Sequence, residues 1–180
     1  MSMPNLDKSV DLKVLETERL VLEKLTTDDA EFILGLVNEP SFVANIGDRG
    51  VRNLDDARRY ILDGPVDSYQ RFGFGLLLTA LKFERTPIGV CGLVKRETLE
   101  GPDLGFAFKP QFWGQGFAYE SSAAVMKHAR EVIGLKRVLG ITSPGNRGSI
   151  RILEKVGLQF EKLVRLGDDS EQIQLFAADL

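Results

Sequence analysis

Along this chain, apolar residues repeat first every second position and then every 3.6, and the switches between these periods mark its elements. Leu15 to Leu25 reads as a first strand. Leu20, Leu22 and Lys24 share one face, and Val21, Glu23 and Leu25 the other, so both faces are partly covered. Thr26-Thr27-Asp28-Asp29 then supplies helix-start chemistry, with Glu31 three positions after Asp28 as a capping box. Phe32, Ile33, Leu36 and Val37 recur at helical spacing, and Asn38 and Pro40 close that helix. An irregular piece follows from Ser41 to Gly50. Asn53 caps a second helix, with Leu54, Ala57, Tyr60 and Ile61 as its stripe and Gly64-Pro65 as its stop.

Phe74–Phe83 and Ile88–Val94 read as an antiparallel hairpin turning at Thr86-Pro87. Glu97–Asp103 is a polar turn and Leu104–Phe108 a strand. A long helix spans Gln115 to Ile133. At about 100° per residue, Ala118, Ser122, Val125, Met126, Ala129, Val132 and Ile133 share its apolar face. Arg137–Thr142 is a β-branched strand. Residues 147–156 form a helix capped by Asn146, with Gly157 at its C′ position. Phe160–Leu166 and Gln172–Ala177 pair across Gly167-Asp168-Asp169. The order β-α-α-β-β-β-α-β-α-β-β predicts an α+β fold, α/β in three layers, on a mixed sheet. Strands joined by short turns are antiparallel, and the strand–helix–strand unit over 104–142 is parallel and right-handed. Residues 1–12 read as a flexible N-terminal tail and residues 13–180 as one domain.

Composition narrows the class. The chain has 180 residues, 43% hydrophobic and 27% charged, enough for a core without staples. Its net charge of -3 argues against nucleic acid as a partner. Its one cysteine, Cys91, excludes an intrachain disulfide and reads as a small buried hydrophobe. The lone His128 has no ligand cluster around it, so no metal site is expected. Without a signal-like core or an apolar run of membrane length, a soluble, cytoplasmic protein is expected.

Three places carry candidate chemistry. Trp113-Gly114-Gln115-Gly116-Phe117-Ala118 lies between a strand and a helix N-terminus, where glycines admit a ligand and free N–H groups face an anion. A dinucleotide fingerprint is disfavoured, because Tyr119 stands at its third small position and Lys136 and Arg137 where its acid belongs. A P-loop is excluded by the missing Gly-Lys-Ser/Thr. Ser149 sits in the first turn of the helix after Asn146, either packed or facing a cleft as a proton donor. Glu97, Glu100 and Asp103 are turn acids, either solvated or poised as a water-relayed base.

Together these residues resemble a known family. Gly105-Phe106-x-Phe108-x-Pro110-x-x-Trp113-Gly114-Gln115-Gly116-x-Ala118-x-Glu120 resembles the acetyl-CoA loop of the Gcn5-related N-acetyltransferase (GNAT) superfamily, in the branch of the ribosomal-protein N-terminal acetyltransferases. Leu15–Leu22 resembles that branch's first strand, and Asn146-x-x-Ser149-x-x-x-Leu153-Glu154-Lys155-x-Gly157-Leu158 its later cofactor segment. The resemblance implies a mostly antiparallel sheet of about seven strands with helices on both faces. It implies acetyl-CoA as cosubstrate and an amine acceptor, a peptide N-terminus or small molecule, with the protein a monomer or homodimer. By the same resemblance, Gln115, Gly116, Phe117 and Ala118 offer N–H groups to the pyrophosphate. Trp113 stands where the superfamily pattern has Arg or Gln. Phe106, Ala107 and Phe108 pair with the pantetheine arm, and Arg137–Thr142 splays away to leave a slot. Asn146 bonds the arm, and Ser149 protonates the leaving thiolate. A backbone N–H near Ala107–Phe108 meets the oxyanion, and Asp103 or, second, Glu97 serves as base. A non-catalytic acyl-CoA sensor of the same fold is the alternative. Acceptor choice is expected in residues 38–72 and the last hairpin.

Overall fold

The structure, a computed structural model, describes residues 12–168 and 170–180. The predicted tail lies outside these residues except for Leu12, whose carbonyl accepts the Lys24 N–H at 2.8 Å. The predicted first strand is two strands, β1 (Lys13–Glu16) and β2 (Leu20–Lys24), paired antiparallel. The polar run Glu16-Thr17-Glu18-Arg19 interrupts the alternation and turns the chain, giving eight strands among the described residues.

Thr26 and Asp29 form a capping box on the 3-10 turn Thr27–Asp29 that leads into α1 (Ala30–Val37), two residues earlier than the predicted Asp28–Glu31 pair. α1 ends at Asn38 as predicted, but the piece predicted as irregular from Ser41 begins as a helix, α2 (Pro40–Asn45), with Pro40 in its first turn, where the missing N–H costs nothing. Asn53 caps α3 (Leu54–Ile61), its side chain accepting from the Asp56 N–H at 2.9 Å. Gly64-Pro65 does not stop this helix. The chain widens into a π turn over Leu62–Val66 and continues as α4 (Asp67–Phe72), which ends at left-handed Gly73.

Strands β3 (Leu76–Leu81), β4 (Pro87–Val94) and β5 (Asp103–Phe108) form a meander, followed by α5 (Phe117–His128). After a π turn, β6 (Arg137–Thr142), α6 (Arg147–Lys155), β7 (Gln159–Val164) and β8 (Ile173–Asp179) complete the chain. The last connection is longer than the predicted turn, whose Asp169 lies outside the described residues. The sheet order is β1-β2-β3-β4-β5-β6-β8-β7, antiparallel except between β5 and β6.

One core lies under α5 and α6, where Leu22, Leu93, Phe108, Val125, Leu153 and Phe176 pack together. A second lies under α1 and α3 on the other face, with Ile33, Leu36, Ala57, Ile61, Leu78 and Val90. Val132, predicted on the buried face of the long helix, is 70% exposed. The π turn over Ala129–Ile133 adds a residue per turn and rotates it away from the sheet. Cys91 is fully buried, and burial pushes its thiol up to about 11. No helix among the described residues is long and apolar enough to cross a membrane.

Candidate active site

The sheet parts at its centre. β4 and β5 pair along six residues, and so do β6 and β8, but β5 and β6 share the single pair Asp103↔Leu139. The Lys109 N–H donates to the Ile88 carbonyl on β4 at 3.0 Å. By the two-residue alternation of a strand, Gly105 and Ala107 also face β4, so Phe106 and Phe108 turn their N–H groups toward β6. On β6, the Leu180 N–H reaches the Lys136 carbonyl at 2.9 Å, which by the same alternation turns Ile141 toward β5. A slot with unpaired backbone groups on both walls therefore opens beyond Asp103. Of the predicted oxyanion donors, Phe108 faces this slot and Ala107 does not.

The slot leads to the glycine loop. Pro110–Phe112 make a 3-10 turn, and the Trp113 indole N–H ties the end of β5 by donating to the Phe108 carbonyl at 2.8 Å. Gly114 and Gly116 both adopt left-handed φ, 73° and 85°, which favour glycine. Among the described residues, no N–H from Gly114 to Tyr119 has a backbone acceptor; the Glu120 N–H, bonded to the Gly116 carbonyl at 3.0 Å, is the first that does. The predicted cradle of Gln115, Gly116, Phe117 and Ala118 lies within this run, at the positive end of α5.

Asn146 and Ser149 flank the far side, after β6. The Asn146 carbonyl oxygen Oδ1 accepts the Ser149 N–H at 3.1 Å, which leaves its Nδ2 group as the available donor. The Ser149 hydroxyl is half-buried and has no hydrogen-bond partner among the described residues. Leu153 anchors this helix over Gly140, where a Cβ would lie 2.7 Å from Leu153 Cδ2.

Of the turn acids, Asp103 is not solvated. It opens β5, is 1% exposed and accepts from Arg96 Nε at 3.0 Å. Burial pushes its carboxyl up to about 6, against the pull of Arg96. Glu97 and Glu100 are exposed in the turn. On α3, burial raises the Tyr60 phenol while the charges of Arg49 and of Arg96, which meets Asp103 at the start of β5, pull it down. Among the described residues, no three His, Cys, Asp or Glu side chains gather as metal ligands.

Sequence reasoning missed a brace around the loop. Glu120, in the first turn of α5, accepts from Thr17 Oγ1 at 2.6 Å, from the Arg19 N–H at 2.9 Å and from Arg19 Nε at 2.7 Å. Arg19 also donates to the Gln115 carbonyl at 2.9 Å and lies over the Phe117 ring at 4.5 Å. Burial opposes ionisation of Glu120, but these hydrogen bonds hold its carboxyl below the ordinary value. The four polar residues from Glu16 to Arg19 were the available signal.

Comparison with known proteins agrees with this architecture. The family described as "Acetyltransferase (GNAT) domain" matches residues 19–159. The uncharacterized N-acetyltransferase YoaA of Bacillus subtilis is 26% identical over 154 residues, 84% of this chain and 86% of that one. An acetyltransferase from Agrobacterium tumefaciens has a TM-score of 0.79 at 23% identity, over 99% of this chain and 100% of its own. RimL, the ribosomal L7/L12 α-N-protein acetyltransferase solved in complex with coenzyme A, has a TM-score of 0.79 at 16% identity, over 93% of this chain and 98% of its own. The chain belongs to the GNAT acetyltransferase family. It is an acetyltransferase.

Proposed function

We propose that this protein moves an acetyl group from acetyl-CoA to a primary amine, a protein N-terminus or a small-molecule amine, by direct attack of the neutral amine on the thioester. The observation that carries this reading is the uninterrupted run of N–H groups from Gly114 to Tyr119 without backbone acceptors. Such a run suits a diphosphate. The β5/β6 slot beside it suits an extended amide-bearing arm, which pairs with a strand edge as a peptide would. Asn146 Nδ2 donates to that arm from the far wall.

In the reaction the amine nitrogen bonds to the thioester carbon, and the carbonyl oxygen takes the negative charge. The Phe108 N–H, aimed into the slot, stabilises that charge. The C–S bond then breaks; Ser149 gives its proton to the departing thiolate and takes up, through water, the proton that the attacking nitrogen sheds as it becomes the amide. An acceptor arriving as an ammonium first gives up its proton. Asp103, held up to about 6, is a base matched to neutral pH, whereas exposed Glu97 is the second candidate. Asp103 lies five residues along β5 from Phe108, roughly 17 Å at strand rise, so the proton travels through a chain of waters. The acceptor enters on the α3 side, past Tyr60, Arg49 and Arg96. The branch resemblance favours peptide N-termini within this range.

Thermal shift with acetyl-CoA and thiol release against a panel of amines and N-terminal peptides test the reading. Acetyl-CoA raises the melting temperature of the wild type and not of Gly116→Trp. At least one amine releases thiol. No rise with the wild type sinks the proposal; a rise without turnover on any amine returns the acyl-CoA sensor.

A further inference from the structure

The glycine loop has a cradle of N–H groups but no cation of its own in place. Trp113 occupies its first position. Lys109, just before it, carries its ammonium 5.0 Å over the Phe32 ring on α1, away from the loop. The positive charge at the cradle comes instead from the β1–β2 turn. Arg19 Nε is committed to Glu120 and Nη1 to the Gln115 carbonyl. Nη2 has no hydrogen-bond partner among the described residues. It stands 3.2 Å from where a Cβ on Gly116 would be built, against the residue that opens the run into α5.

We propose that Arg19 is a diphosphate-binding residue that works from outside the loop: two of its donors hold the loop in shape and the third, Nη2, reaches the cosubstrate diphosphate. Glu120 sets this geometry. Its carboxylate fixes the guanidinium plane at 2.7 Å, and Thr17 at 2.6 Å and the Arg19 N–H at 2.9 Å fix the carboxylate in turn. The Phe117 ring 4.5 Å below closes the guanidinium's other face. With plane, face and two donors fixed, Nη2 points without further loss of side-chain freedom, which is where a pre-organised fork gains affinity. A glycine at 116 is needed for its φ of 85° and because a side chain would stand between Nη2 and the ligand.

This rests on the acetyl-CoA reading, and ligands of graded length separate the two. Calorimetric titration of Arg19→Gln compares CoA, 3′-dephospho-CoA and pantetheine. Losing one charge-assisted hydrogen bond weakens CoA and dephospho-CoA equally, by about tenfold or more. Pantetheine, which lacks the diphosphate, binds the variant as it binds the wild type. Equal weakening of all three ligands overturns the proposal in favour of a purely structural brace. Weakening of CoA alone overturns it in favour of the 3′-phosphate, and no weakening overturns it outright. Failure of the wild type to bind CoA would instead remove the acetyl-CoA reading itself. If Arg19→Gln does not fold, Glu120→Gln serves: it keeps the size but sets an amide donor where Arg19 needs an acceptor, so the guanidinium loses its fixed plane. CoA and dephospho-CoA then weaken while pantetheine does not; no weakening of CoA, or equal weakening of all three, overturns the proposal.

Discussion

Arg96 Nε stands 3.0 Å from Asp103 Oδ1, and the carboxyl that it meets is almost wholly buried at the point where β5 and β6 part. Burial raises that carboxyl to about 6, above its value of 3.8 in an open chain. The folded protein therefore binds a proton that the unfolded chain releases. Stability from this group is fully present below about 3.8 and is lost as pH rises to about 6. In urea titrations from pH 4 to 7.5, the wild type should lose stability relative to Asp103→Asn up to about pH 6 and run parallel above it. Loss of the Arg96 contact adds only a constant offset. A difference that does not vary with pH would contradict the raised value.

Trp113 is the one tryptophan of the chain, half exposed beside the cradle, and its indole N–H caps the last carbonyl of β5. CoA titration should change its emission, with the same midpoint as the calorimetric isotherm. Trp113→Phe removes one hydrogen bond, a net cost of about 0.5–1.5 kcal/mol, and should raise the KM for acetyl-CoA more than it lowers kcat. A fall in kcat with KM unchanged would place Trp113 in the transition state rather than in the loop.

Gly140 and Leu153 test how α6 is seated. A Cβ on Gly140 would come within 2.7 Å of Leu153 Cδ2 and 2.9 Å of Leu158 Cδ2. Gly140→Ala should cost about 1–3 kcal/mol by overpacking, and Leu153→Ala about 2–5 kcal/mol by leaving a cavity. The double variant should lose less than the sum, because the new methyl enters the space that the leucine vacates. Additive losses in denaturant titrations would mean that the two do not touch.

Ser149 and Asn146 should separate chemistry from helix start. The Ser149 hydroxyl has no partner among the described residues, so Ser149→Ala should leave the melting temperature unchanged and lower kcat. Asn146→Ala removes the cap on the Ser149 N–H and should cost about 1 kcal/mol of stability. A Ser149→Ala enzyme with full kcat would remove the hydroxyl from the proton path.

What the sequence made legible follows from where local rules agree with the fold. Arg137–Thr142 is the predicted strand to the residue, because β-branched alternation meets clear boundaries on both sides. The helix after Asn146, its cap and the glycine loop are legible for the same reason. Leu99 and Asp103 are not: both lie in or beside a turn that reads as solvated, yet Leu99 packs on Leu139 and Leu175 while Asp103 is buried on Arg96. Gly64-Pro65 reads as a stop because proline breaks an α-helical hydrogen bond, whereas a π turn absorbs the break and α4 continues. Arg19 and Glu120 each sit in a recognised motif, but nothing local says that they meet.

That meeting spans more of the chain than any other charged contact described above. Glu120 finds Thr17 and the Arg19 N–H 103 and 101 positions earlier. The earlier partners belong to a short edge hairpin whose outer strand is four residues long. Edge elements of this kind loosen at lower free energy than the core beneath them. Warming should therefore free the β1–β2 turn from α5, and with it the grip on the loop, while Leu93, Val125 and Phe176 are still packed. Heat inactivation would then precede heat unfolding, with acetyl-CoA affinity fading several degrees before the molecule itself gives way.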